Sequence, residues 1–301
     1  MTKRTLLLLL ALFACVLPVS AKHHSSASPS PDQDDTDTST PTPRSAGTDA
    51  APVNHAGSVI VLDARTGQVL YEKNADEHRP AASTQKLLTA LIVTEAANLD
   101  HPVTVDFSDT QCEPVKLNIQ PGETYRCFDL LQVMLVHSMN DVARCLARDN
   151  AGSVEAFADK MNKKAAELGM KDSHFVNPNG LPIPGQYTTA RDMSKVAFAA
   201  YHNEIIRSIV CLKSVSFTYA DGRVRQFDTT NHVLLKYPLC NGMKTGYTDA
   251  AGHCLISSAS NGTRDVISVV LGDNGYVWSD SYALLEWGIA GGGTSRIGSA
   301  N

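Results

Sequence analysis

Several signatures are missing from this 301-residue chain, and each absence removes a class of function. There is no H-E-x-x-H segment, and the cysteines do not fall at zinc-binding spacings, so no metal site is expected. No basic stripe or aromatic-basic patch interrupts a chain of formal net charge −5, which makes nucleic acid a poor partner. No internal repeat is present, so the folded part reads as one compact domain rather than an array. No cofactor is called for.

What is present begins with a leader. Lys3 and Arg4 precede an apolar stretch from Leu6 to Val19, followed by Ser20-Ala21. A basic start, an apolar middle and a small-residue exit form a secretory signal peptide over residues 1–21, and the stretch is short for a membrane span. A competing reading places a lipoprotein site in Leu12-Phe13-Ala14-Cys15, with Cys15 lipidated. Apolar residues continue beyond Cys15 and argue against it. The expectation is export to the periplasm or another extracytoplasmic cell-wall space, with no strong membrane anchor unless Cys15 is lipidated. Loss of Lys3 and Arg4 leaves the mature chain more acidic.

Residues 22–54 are dense in Ser, Pro, Thr and Asp, too poor in apolar surface to offset the entropy of ordering, and are expected to form a disordered tether. Its reach as a flexible coil is roughly 30 Å. Residues 55–290 supply the folded domain, and the Gly- and Ser-rich residues 291–301 a flexible tail. Six cysteines remain besides Cys15, an even number that permits disulfides in an exported chain. The pairing favoured on spacing is Cys112 with Cys127 across Gln120-Pro121-Gly122, whereas Cys145 is expected as a small buried residue on a helix.

Periodicity places the elements. Ser58–Asp63 and Gln68–Glu72 flank Arg65-Thr66-Gly67 as a β-hairpin. A buried helix is predicted from Ser83, because Leu87, Leu88, Leu91 and Ile92 follow on a broad apolar face. Helices are predicted over Phe128–Val136 and Asp141–Asp149, with Ser138 and Asn140 in the break between them. Val154–Leu168 reads as a further helix, Asn177-Pro178-Asn179-Gly180 as a tight loop, and Thr189 as the cap of the next helix. Strands are predicted over 215–219, 242–247, 253–258 and 266–271, and a last helix over Asp280–Trp287.

Three segments carry chemistry. Ser83-Thr84-Gln85-Lys86 sets a hydroxyl and an amine one helical turn apart, on one face. Ser138-Met139-Asn140 and Lys244-Thr245-Gly246 follow in that order. A serine acyl-transferase needs a nucleophile, a base to deprotonate it and donors for the developing oxyanion, and the S-x-x-K and K-T-G pair is a described signature of such sites. Each segment has a bland alternative: a surface helix pair, a helix-break cap, an ordinary strand end. His137 beside Ser138 reads as packing or solvent-facing, and Arg191 and Asp192 as local helix-start residues.

With Pro80-Ala81-Ala82-Ser83, Asn177-Pro178-Asn179-Gly180-Leu181-Pro182, Thr189-Ala190-Arg191-Asp192-Met193 and Gly246-Tyr247-Thr248-Asp249-Ala250-Ala251-Gly252, the chain resembles the D-alanyl-D-alanine carboxypeptidases among low-molecular-mass penicillin-binding proteins, over about residues 58–288. The resemblance implies an α/β (α+β) transpeptidase fold, a five-stranded antiparallel sheet flanked by helices, beside an all-helical lobe. It implies peptidoglycan stem peptides as substrates and β-lactams as covalent inhibitors. It also implies Ser83 as nucleophile, Lys86 as base, Ser138 as proton relay and Asn140 on the substrate amide. Lys244 and Thr245 of the Lys244-Thr245-Gly246 strand would bind the terminal carboxylate, and the backbone N–H groups of Ser83 and Tyr247 would form the oxyanion hole.

Two departures stand out. Met139 occupies a position that is usually small, and its side chain is expected to point away from the site. Leu271–Trp287 contains no arginine or lysine, where the family carries an arginine that helps hold the carboxylate. That loss favours endopeptidase cleavage of cross-links as an alternative, and a non-catalytic murein-binding relative as another. A β-lactamase is the third, although no separate carboxylate base is evident. The chain also ends without the smaller β-domain and amphipathic helix of many relatives.

Overall fold

The computed structural model describes residues 50–95 and 98–293, all within one compact unit, Asp34–Asn301. The leader, most of the tether, Cys15 and most of the tail lie outside the described residues. Among those described, no helix is long and apolar enough to cross a membrane.

The sheet is assembled from both ends of the chain. β1 (Ser58–Asp63) and β2 (Val69–Lys73) form the predicted hairpin, while β7 (Cys240–Thr248), β8 (Gly252–Ser260) and β9 (Asp265–Asp273) come from the last third. Their order is β2-β1-β9-β8-β7, and every neighbouring pair is antiparallel. Alternation along β1 explains why both faces are covered. Ile60 and Leu62 join one apolar core; Val59 and Val61 join another.

The first core holds the helical region: α1 (Lys86–Glu95), α2 (Cys127–His137), α3 (Asn140–Ala151), α4 (Val154–Glu167) and α5 (Ala190–Tyr201). Every residue from Lys86 to Val93 is buried, so α1 is the central helix the apolar run foretold. The second core packs α7 (His232–Lys236) and α8 (Val277–Ile289) through Val233, Leu234, Leu284 and Leu285. Thr189 caps α5 by accepting from Asp192 N at 3.0 Å, and Arg191 pairs with Asp76 and Glu72, so both act at the helix start as expected. The elements that periodicity did not separate are short: α6 (Glu204–Val210), α7, the ribbon β3 (Pro102–Thr104) with β4 (Thr124–Arg126), and β6 (Val224–Asp228), which pairs with the predicted strand β5 (Ser214–Thr218).

The Cys112–Cys127 pairing is not formed. All six described cysteines are free, and the β3–β4 ribbon is the reason. It carries Cys127 to His101, whose carbonyl accepts from Cys127 N at 3.0 Å, and buries the thiol in the apolar core. Cys112 instead sits with its thiol towards Asp109 O. Cys145 is buried on α3, as expected.

At the far end of β9, two buried carboxyl groups meet. Asp273 Oδ1 accepts from Tyr276 N at 2.6 Å, while Oδ2 faces no donor and lies against Asp280. Asp280 in turn accepts from the backbone N–H of His55. Burial first, then the Asp280 charge, push the Asp273 carboxyl up to about 6. Because this lies above the free value of about 3.9, the protonated form suits the fold, and stability is lost as pH rises from about 4 through about 6. Asp273→Asn stays neutral and keeps an acceptor for Tyr276 while offering an N–H to Asp280. Its Tm by differential scanning calorimetry is expected to exceed that of the wild type by about 4 °C near pH 8, with the gain vanishing below about pH 4. Equal Tm values across that range would refute a costly Asp273 ionisation.

Candidate active site

A 3₁₀ turn, Ala82–Gln85, precedes α1 and presents Ser83 at the helix start. Two non-glycine residues with left-handed backbone flank the chemistry: Ala82 (φ 46°) beside the nucleophile candidate, and Ser138 (φ 71°) at the end of α2. Such strain persists only where surrounding structure enforces it, and it concentrates at functional sites. Here the enforcing contacts are visible. A Cβ on Gly246 would lie 2.7 Å from Ser83 N and 3.0 Å from both Ala82 Cβ and Thr84 N. A Cβ on Gly180, itself at φ +86°, would lie 2.0 Å from Ala82 O. The nucleophile's turn is therefore clamped between two glycines, which explains why the third motif ends in Gly246.

The 3₁₀ turn and the first turn of α1 are tied to the 177–180 loop. Gln85 Nε2 donates to Asn177 O at 2.6 Å, and Thr89 Oγ1 donates to Pro178 O at 2.7 Å. Lys86 has its Nζ 2.9 Å from Asn179 O, 2.7 Å from Asn140 Oδ1, 2.7 Å from Ser83 Oγ and 3.4 Å from Ser138 Oγ. Ser83, Ser138 and Asn140, from three elements, thus share the Lys86 amine. Lys86 is fully buried, and desolvation, helped by the Lys244 charge, lowers its pKa well below the usual lysine value. A neutral amine has two N–H donors and one lone pair. Two of the short partners, Asn140 Oδ1 and Asn179 O, can only accept, so the lone pair is left for the Ser83 hydroxyl.

Asn140 Nδ2 donates to the loop carbonyls Glu113 O at 3.1 Å and Pro114 O at 2.9 Å, which fixes Oδ1 towards Lys86. That loop is itself held by Asp141, which accepts from Leu117 N at 2.9 Å and Asn118 N at 2.8 Å. Met139 points into the core, away from the cleft, as expected. His137 Nδ1 donates to Asp228 O at 2.7 Å and the ring packs on Phe227, away from the Ser83–Lys86 pair.

The opposite wall is β7. Lys244 is buried, with its amine on Thr245 O at 3.0 Å, and burial brings its pKa down to about 7. Thr245 Oγ1 meets Thr230 Oγ1 at 2.5 Å, and Gly246 lies under Ser83. Tyr247 turns its ring outward onto His253 and its hydroxyl to Asp249, so any part it plays at Ser83 is through its backbone. Sequence reasoning did not find the Asn179 carbonyl or Thr230. The Asn177–Gly180 turn was the available signal for the first; nothing marked the second.

A profile of the D-alanyl-D-alanine carboxypeptidase family matches residues 45–275. The chain is 33% identical over 262 residues to the D-alanyl-D-alanine carboxypeptidase DacB2 of Mycobacterium tuberculosis, covering 84% of this chain and 89% of that one. It is 32% identical over 249 residues to the D-alanyl-D-alanine endopeptidase of Escherichia coli, covering 81% and 80%. A crystal structure of a D-alanyl-D-alanine carboxypeptidase from M. tuberculosis superposes with a TM-score of 0.76 at 33% identity, over 80% of this chain and 93% of the other. With a strained serine turn, a buried amine on its hydroxyl and a profile spanning most of the folded residues, the chain belongs to the D-alanyl-D-alanine carboxypeptidase family.

Proposed function

We propose that the protein is a serine-type D-alanyl-D-alanine carboxypeptidase that trims peptidoglycan stem peptides in an exported, cell-wall compartment. The observation that carries the reading is the 2.7 Å contact between Ser83 Oγ and the buried Lys86 amine. Ser83 Oγ attacks the carbonyl carbon of the penultimate D-alanine while its proton passes to Lys86. The oxyanion lies between the backbone N–H groups of Ser83 and Tyr247, the largest electrostatic contribution to acyl transfer. The proton returns through Lys86 and Ser138 to the amine of the leaving D-alanine, the C–N bond breaks, and water later cleaves the Ser83 ester. Lys244, with Thr245 and Thr230, faces the terminal carboxylate, and β-lactams enter the same path as covalent inhibitors.

A second reading, endopeptidase cleavage of cross-links, draws on the absence of Arg and Lys from Leu271–Trp287 and on the endopeptidase among the relatives. Among the described residues no carboxylate hydrogen-bonds to Ser83 or Lys86, which argues against the fast deacylation of a β-lactamase. The test is mass spectrometry of products from a pentapeptide and from a cross-linked dimer. Release of D-alanine from the pentapeptide at the faster rate is expected. Faster dimer cleavage supports the second reading, and rapid repeated turnover of penicillin would mean a β-lactamase.

A further inference from the structure

The end of β6 borders the cleft on the side opposite the nucleophile's turn. It runs along the last turn of α2: Phe227 packs on the His137 ring at 5.2 Å, His137 Nδ1 donates to Asp228 O at 2.7 Å, and Thr230 N donates to Val136 O at 3.3 Å. Ser138 follows His137, and Thr230 Oγ1 meets Thr245 Oγ1 at 2.5 Å, so this strand leads directly to the proposed carboxylate position. We propose that Arg225, two residues before Phe227, is a subsite for the free C-terminal carboxylate of a second stem peptide, the acceptor half of a cross-linked dimer. The inference deepens the endopeptidase reading and rests on the acyl-transfer site for where the scissile bond lies.

The state of the guanidinium carries the proposal. Arg65, Arg79, Arg126, Arg148, Arg191 and Arg223 each hold a carboxylate. Arg225 is exposed and, among the described residues, forms no ion pair. Its Cζ lies 4.7 Å from the Phe227 ring centroid, and the guanidinium reaches the Tyr219 hydroxyl, which itself donates to Leu117 O at 3.1 Å. A ring and one neutral acceptor orient the group without neutralising it. A planar fork held in place with its charge unspent is suited to a bidentate pair with a carboxylate. Arg223 is the contrast. It packs on Tyr219 at 4.7 Å in the same way, but Asp221 Oδ2 already accepts from its Nε at 2.6 Å.

The span fits an acceptor peptide rather than a terminal D-alanine. Lying over Phe227, three residues before Thr230, the guanidinium is roughly 10 Å from the Thr230–Thr245 pair at the rise of a strand. A terminal D-alanine bound at that pair ends there and cannot reach it. In a cross-link the leaving amine belongs to a side chain of the second peptide, whose own C-terminus remains a free acid. A four-carbon side chain and one further residue carry that carboxylate about 10 Å beyond the scissile nitrogen.

Two cross-linked dimers test this, alike except that the acceptor C-terminus is a free acid in one and an amide in the other. Each is titrated by calorimetry into protein carrying Ser83→Ala, so that no turnover disturbs the binding constant. The free acid is expected to bind about fivefold tighter at low salt, the upper range for an exposed ion pair of good geometry. Adding Arg225→Gln should cut that preference below about 1.5-fold, and Arg225→Lys, a cation without the fork, should leave about twofold. Arg223→Gln should keep the preference whole. Equal binding of the two dimers, a preference that survives Arg225→Gln, or an equal loss in Arg223→Gln overturns the subsite, as does failure of both dimers to bind. Cleavage is scored separately with Ser83 in place. An Arg225-dependent preference without cleavage of either dimer keeps the subsite and removes the endopeptidase reading instead.

Discussion

Ser83→Ala is expected to lose covalent penicillin labelling outright while melting at the wild-type temperature. The hydroxyl is the one group in the cleft that contacts the Lys86 amine at 2.7 Å and also lies at the mouth rather than in the core. Removing it deletes the bond-forming atom and leaves Lys86 with Asn140 Oδ1 and Asn179 O, so no buried polar group loses its last partner. What remains, the oxyanion donors and binding contacts, can speed a water attack but cannot form an ester. Intact-protein mass spectrometry after incubation with penicillin reads the outcome. A full adduct on the variant would place the nucleophile elsewhere.

Lys86→Met is the second large effect, a fall in the penicillin acylation rate of about 10³-fold, within the range for loss of a general base. The pH profile separates a base from a merely structural lysine. Lys86 has its pKa lowered by burial, so the neutral, proton-accepting form gains as pH rises, and wild-type acylation should climb with it. Burial brings the Lys244 pKa down to about 7, and above that pH the cation proposed to face the carboxylate fades. The wild type should therefore show a bell with its descending limb set by Lys244. Lys86→Met should lose the ascending limb and keep the descending one. An acylation constant within tenfold of the wild type, or a bell of unchanged shape, would remove Lys86 from the base role.

Much of the frame was legible because it depends on local pattern. Short apolar runs between turn signals marked β1 and β7–β9, and the dense apolar run after Ser83 marked α1 as central. The short pieces escaped for the opposite reason. A seven-residue helix such as α6, or a three-residue strand such as β3, carries too few turns or alternations to stand out, and long-range contacts decide its state. The expected Cys112–Cys127 bridge failed for the same cause, since spacing along the chain said nothing of the ribbon that carries Cys127 away.

The sequence by itself determined the chemical inventory: a hydroxyl and an amine one turn apart, a second hydroxyl and amide, and a strand bearing Lys244, Thr245 and a mandatory glycine. Only the tertiary structure decided how these groups divide the work. It set the Asn179 carbonyl and Asn140 Oδ1 on the Lys86 protons, joined Thr230 to Thr245, and tied Asn140 Nδ2 to the Glu113 carbonyl. Backbone carbonyls are alike at every position, and partners some 15 to 93 residues apart leave no periodic trace. Burial does the rest, because in water Lys86 would be charged and could not take a proton from serine.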